Sequence, residues 1–401
     1  MTQKWTLIAT TAMGLEAVAA RELKDLGYND LKVENGKIIF TGDPIDLCRS
    51  NLWLRTVDRI RLRVGYFKAV TFDSLFEQTK ALPWANLLPE QAQFPVTGKS
   101  HKSVLHSVPD CQAIVKKAIV ESLKQHYHKE WFQEDGPMYK IQVALDKDQV
   151  TLSIDTSGDG LHRRGYRRLH NEAPLKETLA SAMILLSRWT PDQPFVDPFC
   201  GSGTLPIEAA MIGQNIAPGF NRSFVSESWP IIDPTCWTRA RDEVESKANY
   251  DQPLMIMGSD IDHNMIELSE YNAQEAGFSG LITFKQMQVA DFTTQSKYGC
   301  MIGNPPYGER MGSEQQIREI CRSLGRLYKT NKTWSFYFIS SYAQFESDFG
   351  RPASKKESSI MDGSVPISIN ILEKSIRINR SNRKLLRKTR RTLPVKKRMN
   401  G

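Results

Sequence analysis

The sequence predicts an α/β protein, with a Rossmann-like, doubly wound parallel sheet in residues 174–356 that is preceded by an α+β region. Between residues 174 and 356, short apolar runs alternate with amphipathic helical segments, which is typical of a parallel sheet covered by helices. One of these runs leads directly into a glycine-rich turn and a helix, a connection found at ligand sites of such sheets. Residues 1–65 instead follow the order β-α-β-β-α-β, which is typical of ferredoxin-like modules.

The ferredoxin-like order rests on local signals. Asn35-Gly36 lies between two apolar strands and is a strong signal for a β-hairpin. Helices are predicted before and after that hairpin, and the alternating run Arg59–Val64 supplies the last strand. Residues 1–65 are therefore expected to form a small α+β module.

Residues 66–157 form the next predicted module. Its helices are expected over residues 74–82 and 109–127, and a hairpin over residues 139–154. The segment 96–103 is predicted to be a loop in which Lys99 and Lys102 contact phosphate, although an ordinary solvated loop would show the same composition.

A basic segment at residues 158–173 connects these modules to the second half. Four arginines surround Tyr166, a combination that suits phosphate binding and base stacking. A merely solvated linker is the alternative. The arginines predicted to bind RNA are Arg163, Arg164, Arg167 and Arg168.

The glycine-rich turn, Asp197-Pro198-Phe199-Cys200-Gly201-Ser202-Gly203-Thr204, follows the apolar pair Phe195-Val196. Glycines at this position allow a ligand to approach the backbone. The turn has neither the lysine of a phosphate-binding loop nor a complete G-x-G-x-x-G, so a triphosphate ligand is not expected. A second apolar run ends at Asp260 and Asp262, where a carboxylate is expected to accept hydrogen bonds from ribose, with Asp260 favoured.

A third strand end carries Asn304-Pro305-Pro306-Tyr307. Two successive prolines exclude helix and further sheet pairing. The Asn304 amide oxygen and the Pro305 carbonyl are suited to accept both hydrogens of a nucleobase amine, while Tyr307 stacks on the base. A proline-rich surface turn is the alternative for this motif alone.

The combination of D-P-F-C-G-S-G-T with N-P-P-Y resembles class I S-adenosylmethionine-dependent methyltransferases of the amino-methylating branch. The resemblance implies that Asn304, Pro305 and Tyr307 are catalytic and that Asp291 meets the adenine amine of the cofactor. An N-cap or loop carboxylate is the alternative for Asp291. The implied cofactor-binding residues are Asp197, Phe199, Cys200, Gly201, Gly203, Thr204, Asp260, Asp262, Asp291 and Asn304.

Within residues 66–157, the phrases Val108-Pro109-Asp110-Cys111 and Ile154-Asp155-Thr156-Ser157-Gly158 resemble a THUMP domain, an RNA-binding module. Over residues 1–356 the chain resembles the 23S rRNA guanine-N2 methyltransferase family. That resemblance implies methylation of a guanine N2 amine in 23S rRNA. Methylation of adenine N6 or of tRNA guanine N2, or a non-catalytic role in ribosome assembly, are the alternatives.

Composition sets further expectations. The 401 residues suggest two or three domains. Six cysteines without a C-x-x-C pair and seven histidines without H-E-x-x-H predict reduced thiols and no metal site. No signal peptide or apolar run of membrane length is visible, so a soluble, cytoplasmic protein is expected. The sequence does not indicate an oligomeric state.

The C-terminal segment 357–401 departs from the resemblance. Where the family continues with a K-L-Y-N-G-like strand, residues 357–363 can be back-translated into the codons GAA AGC TCT ATA ATG GAC GGx, one of many degenerate sets, which encode K-L-Y-N-G-R when read two nucleotides in. We therefore infer a frameshifted basic tail, mostly disordered and fully so beyond about residue 374, with one candidate strand at residues 367–371. Without the family's closing strands, the apolar strand 334–339 would become a sheet edge.

The tail also accounts for the net charge of +8. It holds 12 of the 53 Lys and Arg and 3 of the 45 Asp and Glu, which leaves 41 basic and 42 acidic residues in the other 356. Overall charge is therefore no argument for RNA binding, and the local basic clusters must carry it.

Overall fold

The computed structural model describes residues 4–167, 175–306, 314–362 and 365–373. Tyr307 and Arg168, both predicted site residues, lie outside these ranges. The first half contains β1 (Trp5–Thr11), α1 (Glu16–Asp25), β2 (Leu31–Glu34), β3 (Lys37–Gly42), α2 (Pro44–Trp53), β4 (Val57–Lys68), α3 (Phe72–Lys80), β5 (Val96–His101), α4 (Val108–Tyr127), β6 (Ile141–Asp146) and β7 (Gln149–Asp155). The second half contains α5 (Glu177–Leu186), β8 (Phe195–Asp197), α6 (Thr204–Gly213), α7 (Pro234–Lys247), β9 (Ile256–Asp260), α8 (His263–Glu275), β10 (Ile282–Gln286), β11 (Cys300–Gly303), α9 (Glu314–Thr330), β12 (Ser335–Ser340), α10 (Phe345–Phe349), β13 (Lys355–Asp362) and β14 (Val365–Leu372).

The first half is built on one seven-stranded sheet in the order β2-β3-β1-β4-β7-β6-β5. The predicted order β-α-β-β-α-β is confirmed, and Gly36 takes the positive φ of +70° that the hairpin turn requires. Strand β4 pairs with β1 through its first part and with β7 through its second. The predicted boundary between residues 65 and 66 therefore falls inside a strand that belongs to both modules.

The segment around Lys99 differs from the prediction. Residues 96–101 form β5, which pairs in parallel with β6, instead of a phosphate-binding loop. Strand β5 lies at the sheet edge, so the backbone groups on its outer side have no neighbouring strand to pair with. Lys102 follows the strand with a left-handed φ of +48°.

The second half is a seven-stranded sheet in the order β10-β9-β8-β11-β12-β14-β13. Its first five strands are parallel and β14 runs antiparallel to β12. Strand order reverses between β8 and β11, so the crevice between their carboxyl ends is the expected ligand site of this doubly wound sheet.

Strand β12 is not at the edge of the sheet, because the candidate strand at residues 367–371 forms as part of β14. Strand β14 covers it, pairing Phe336 with Leu372 and Ser340 with Ser368, and β13 pairs with β14. Ile369 and Ile371 are buried on this strand. Within the tail, residues 357–362 and 365–373 therefore form strands, and the alternating apolar residues 367–371 occupy the position next to β12. The disorder predicted beyond residue 374 lies outside the described residues.

Residues 217–244, which follow α6, pack into the core of the first half. The Trp229 ring stacks on Tyr139 with centroids 4.5 Å apart, and its Nε1 donates to the Met138 carbonyl at 2.9 Å. Arg49 of α2 donates to Glu243 of α7 at 2.7 Å. Its position in the sequence predicts that this segment belongs to the second half alone.

Across the ranges given above, none of the helices is both long and apolar enough to span a membrane.

Candidate active site

The glycine loop connects β8 to α6. Gly201 and Gly203 adopt left-handed φ angles of +49° and +83°, which favour glycine. A Cβ at Gly203 would lie 3.0 Å from the Cβ of Ser269. The loop is anchored to the neighbouring strand, because the Cys200 backbone N–H donates to the Ser259 carbonyl at 2.9 Å. The loop is therefore fixed to β9, and its residues Cys200, Gly201 and Ser202 line the crevice.

Asp197 and Cys200 are buried at the base of this loop. Burial raises the pKa of Asp197 well above its ordinary value, a hydrogen bond from the Phe199 N–H at 3.0 Å opposes this, and Asp260 raises it further. Burial also raises the pKa of the Cys200 thiol well above its usual range. A thiol held in its protonated form is a poor nucleophile, so Cys200 contributes shape to the site.

The two candidate ribose ligands have different surroundings. The Asp260 carboxylate accepts the Gly201 N–H at 3.0 Å and the Asp262 N–H at 3.1 Å. Because a carboxylate offers about four acceptor positions, roughly two remain for a ligand. Asp262 instead caps α8, with one oxygen accepting from the Asn264 N–H at 2.9 Å and from its Nδ2 at 3.1 Å. These contacts support the preference for Asp260.

Asn304 follows the last residue of β11. Its Oδ1 is buried and has no hydrogen-bond partner among the described residues. A buried acceptor without a partner costs about 1–3 kcal/mol, so such an atom in a ligand crevice indicates a partner supplied by the ligand. Pro305 is buried beside it.

A cavity of about 1170 Å³ opens between these strand ends and α9. It brings together most of the predicted site residues, although Gly203, the residue that precedes α6, is not among those that line it. The predicted residues that line the cavity are Asp197, Phe199, Cys200, Gly201, Thr204, Asp260, Asp262, Asn304 and Pro305.

Asp291 is exposed at the end of a short 3-10 turn, Val289–Asp291, and is not among the residues that line the cavity. Its assignment to the adenine amine stays a prediction. The neighbouring Val289 does line the cavity.

Several lining residues were not predicted. Some of them follow the carboxyl ends of β9 and β10, and the others lie on α9. The residues after β9 and β10 could have been predicted, because ligands bind outside the carboxyl ends of parallel strands. Ile261 is 64% exposed directly after Asp260 and offers an apolar surface to a ligand. The unpredicted lining residues include Ile261, Met265, Met287, Gln288, Val289, Glu319, Ile320 and Ser323.

The structure corrects the RNA-binding assignment of Arg164. This residue is 2% exposed, and its Nε lies 3.3 Å from Oε1 of the buried Glu208. Its guanidinium also donates to the carbonyls of Leu161 and Arg55, each at 2.6 Å. A guanidinium enclosed in this way joins the linker to both halves of the protein and does not reach RNA.

Arg167 is corrected for the same reason. Its side chain is 10% exposed, lies 3.4 Å from the Glu177 carboxylate and donates to the Thr204 hydroxyl of the glycine loop. Arg163, Lys99 and Lys102 are exposed, so their contacts to RNA stay predictions.

Comparison with known proteins decides the family. Residues 164–367 match the model of the RMKL-like methyltransferase domain. The chain belongs to this family. Residues 6–61 also match the RlmL ferredoxin-like domain, and residues 69–155 match the THUMP domain.

Several known proteins are similar to this chain over most of its length. The chain is 57% identical over 356 residues, 88% of this chain and 92% of the relative, to "Putative RNA methyltransferase YpsC" of Bacillus subtilis (strain 168). A crystal structure described as "a predicted N6-adenine-specific DNA methylase from Listeria monocytogenes str. 4b F2365" is 54% identical with a TM-score of 0.88, covering 92% of this chain and 96% of that chain. The crystal structure of SMU.472, solved in complex with SAH, is 46% identical with a TM-score of 0.89, covering 94% of this chain and 100% of that chain.

The residues of this RMKL-like site fit S-adenosylmethionine. The open acceptor positions of Asp260 suit ribose hydroxyls, and the left-handed turn at Gly201 lets a ligand approach the loop backbone. The unpartnered Oδ1 of Asn304 lies at the end of β11, which is separated by β8 from the strand β9 that carries Asp260. Among the described residues, no group of three or more His, Cys, Asp or Glu side chains is arranged to hold a metal ion.

Proposed function

We propose that this protein transfers a methyl group from S-adenosylmethionine to the exocyclic N2 amine of a guanine in RNA, with 23S rRNA as the expected substrate. Its family makes it an S-adenosylmethionine-dependent RNA methyltransferase. The observation that carries the choice of an amine substrate is the buried, unpartnered Oδ1 of Asn304 at the edge of the cavity.

The chemistry asks the protein mainly for alignment. S-adenosylmethionine supplies an electrophilic methyl group. The Asn304 amide oxygen and the Pro305 carbonyl accept the two amine hydrogens, which directs the nitrogen lone pair out of the base plane toward that methyl group. The nitrogen would form its bond to the methyl carbon as the carbon–sulfur bond breaks and S-adenosylhomocysteine leaves, and the methylated amine would then lose one proton to water. Positioning of this kind contributes most of the acceleration when reacting atoms are held in line.

The position of Asn304 also restricts the state of the RNA. The amine of a guanine stacked in a helix is not accessible to a side chain inside a crevice, so the target base must leave its stack. The cavity of about 1170 Å³ is large enough for a cofactor together with one base. Tyr307, which lies outside the described residues, is expected to stack on that base.

Adenine N6 is the second candidate. The N-P-P-Y motif suits either amine, and the relative from Listeria monocytogenes is described as an N6-adenine-specific DNA methylase. Both candidates need the same contacts from Asn304, so the distinction requires identification of the product. A non-catalytic assembly factor would not need the unpartnered Oδ1 of Asn304.

The test separates cofactor binding from transfer. Asn304→Ala is expected to reduce methyl transfer by about 10²–10³, the loss typical of removing one aligned polar group, while calorimetry shows nearly unchanged S-adenosylmethionine affinity. Asn29→Ala, at an exposed position of the first half, is the matched control. Loss of cofactor binding with transfer retained would contradict the role of Asn304.

Product identity is tested by mapping methylated nucleotides in RNA from cells with and without the gene. Loss of N2-methylguanosine at one 23S rRNA position is expected. Loss of N6-methyladenosine instead would select the second candidate, and loss of no methylated nucleotide would reject both.

Tyr307→Ala should weaken binding of the target base by roughly 1–3 kcal/mol through lost stacking, whereas Tyr307→Phe should have only a small effect on that binding.

A further inference from the structure

One arginine of the linker contacts two walls of the cavity from behind. Arg167 is not among the residues that line the cavity, and its side chain is 10% exposed. Its Nη2 donates both to the Thr204 hydroxyl and to the Leu175 carbonyl, the second at 3.3 Å. Thr204 and Leu175 both line the cavity. Arg167 therefore fixes two cavity residues without lining the cavity itself.

The contact with Arg167 sets the role of the Thr204 hydroxyl. A guanidinium can only donate hydrogen bonds, so Oγ1 of Thr204 accepts one and its own hydrogen is left for another acceptor. Among the described residues, this hydroxyl has one further contact, to the Ser202 Oγ at 3.5 Å. Hydrogen bonds between hydroxyl groups are usually about 2.5–3.0 Å long. Because Thr204 is 4% exposed and a buried donor without an acceptor is unfavourable, we expect an acceptor inside the cavity.

The place of Thr204 in the fold favours a negatively charged acceptor. Thr204 is the first residue of α6, and in the described part of the chain no side chain caps this helix. The free N–H groups and the dipole at such a helix end attract an anion. The Thr204 hydroxyl is an independent donor at the same end. A carboxylate has enough acceptor positions for both.

Strand order indicates which end of the cofactor meets Thr204. In the order β10-β9-β8-β11, the expected ribose ligand Asp260 is on β9 and Asn304 follows β11. The sulfur that carries the methyl group connects the ribose to the amino-acid end of S-adenosylmethionine, and its methyl group has to face Asn304. The amino-acid end is therefore expected on the side of β8 and β11. Helix α6 begins on that side, after the glycine loop of β8.

The amino-acid end carries the one carboxylate of S-adenosylmethionine. Asp260 and Asp262, which also line the cavity, are unsuited to hold that group because like charges repel each other. Arg322 and Arg326 line the cavity from α9, which packs against the 3-10 turn Val289–Asp291 that follows β10. They lie on the side expected for the adenine.

We propose that Arg167 is a positioning residue of the cofactor site, which holds the Thr204 hydroxyl so that it donates its hydrogen to the carboxylate of S-adenosylmethionine at the start of α6. The inference rests on the cofactor of the proposed function and not on the choice between guanine and adenine. Glu177 lies 3.4 Å from Arg167 and balances its charge. The arginine therefore acts by directing a hydrogen bond, and Thr204 makes the contact with the cofactor.

Calorimetry with two ligands tests the contact of Thr204. S-adenosylhomocysteine carries the carboxylate and cannot transfer a methyl group, while its decarboxylated analogue keeps the adenosine, the sulfur and the amine. Thr204→Val, which removes the hydroxyl and keeps the shape, is expected to weaken S-adenosylhomocysteine binding about tenfold and analogue binding less than about twofold, as for loss of one hydrogen bond to a charged group. Thr204→Ser keeps the hydroxyl and should bind both ligands as the wild type does.

Arg167→Lys tests whether the arginine acts through Thr204. Lysine keeps the positive charge beside Glu177, but its shorter side chain loses the hold on the hydroxyl. The variant should bind S-adenosylhomocysteine about fivefold more weakly, as for one ordinary hydrogen bond, and the analogue normally. In the Thr204→Val background the same substitution should cause no further loss, because the two residues form one interaction. Arg239→Lys, at an exposed position on α7, is the matched control.

Kinetics separate positioning from a purely structural role. A contact made equally in the ground state and the transition state affects KM and leaves kcat nearly unchanged. Thr204→Val and Arg167→Lys should therefore raise the KM for S-adenosylmethionine by the same factors as they weaken binding. Thermal denaturation checks that each variant is folded. If Arg167→Lys does not fold, the comparison of Thr204→Val with Thr204→Ser on the two ligands decides the question alone.

Equal losses of affinity for both ligands in Thr204→Val would overturn the proposal. So would equal affinities of Thr204→Val and Thr204→Ser for S-adenosylhomocysteine, or an undiminished effect of Arg167→Lys in the Thr204→Val background. If the two ligands behave as expected but mapping finds no lost methylated nucleotide, only the proposed function fails. If N2-methylguanosine is lost in cells without the gene but both ligands are weakened equally, only this inference fails.

Discussion

The buried ion pair between Arg164 and Glu208 is predicted to contribute strongly to the stability of the folded protein. Glu208 is fully buried and accepts hydrogen bonds from both Arg164, with Nε and Nη2 at 3.3 and 3.4 Å, and Tyr166, at 3.3 Å. Ser181 also donates to it. Glu208→Gln keeps the shape of this side chain but removes the carboxylate that contacts the buried Arg164 guanidinium.

The expected cost is large. Removing one partner of a buried pair typically costs about 3–5 kcal/mol, a large part of the roughly 5–15 kcal/mol that stabilise a folded protein. Arg163 provides the comparison within the same segment, because its pair with Asp159 is 68% and 71% exposed. Such exposed pairs contribute about 1 kcal/mol or less.

Urea denaturation measures the difference. Arg164→Gln and Glu208→Gln should each lower the free energy of unfolding by about 3 kcal/mol or more, while Arg163→Gln should change it by less than about 1 kcal/mol. Any direct loss of RNA affinity should appear in Arg163→Gln. Normal stability of Arg164→Gln combined with weakened RNA binding would refute the reasoning and restore Arg164 as an RNA ligand.

Three further predictions follow from the site and the closing strands. Asp260→Ala should weaken S-adenosylmethionine binding by roughly 1.5–3 kcal/mol, whereas Asp262→Ala should mainly cost about 1 kcal/mol of stability through its lost helix cap. Calorimetry that ranks the two in the opposite order would assign the ribose to Asp262. Because the pKa of Asp197 is raised in the folded protein, its contribution to stability is complete below its unfolded pKa of about 3.9 and is lost as pH rises through the folded pKa. Asp197→Asn should therefore gain stability relative to wild type as pH rises, and a pH-independent difference in urea denaturation would contradict this. Asn370 is 2% exposed on β14, its Oδ1 has no partner among the described residues, and its Nδ2 donates to the Phe338 carbonyl at 3.5 Å. Asn370→Val should therefore raise the unfolding free energy by about 1–3 kcal/mol. A lower melting temperature of the variant would show that the lost hydrogen bond to Phe338 outweighs removal of the unpartnered oxygen.

Local sequence determined the order of elements and the strand ends that carry the site. The hairpin at Asn35-Gly36 and the glycine loop before α6 could be predicted because each depends on the conformations open to a few adjacent residues. The Asn304 site could be predicted because two prolines end a strand wherever they occur. These residues needed no distant partner to be recognised.

Tertiary structure decided which charges are buried and which strands are neighbours. Nothing near Arg164 in the sequence indicates that Glu208, 44 residues away, encloses its charge. The alternating run Arg59–Val64 predicted a strand, but only the pairing of β4 with β1 and β7 makes this strand join the two modules in one seven-stranded sheet. Strand β14 likewise forms because β12 offers it unpaired backbone groups and an apolar surface. Burial and strand pairing are properties of what surrounds a segment, so they become definite only when distant parts of the chain meet.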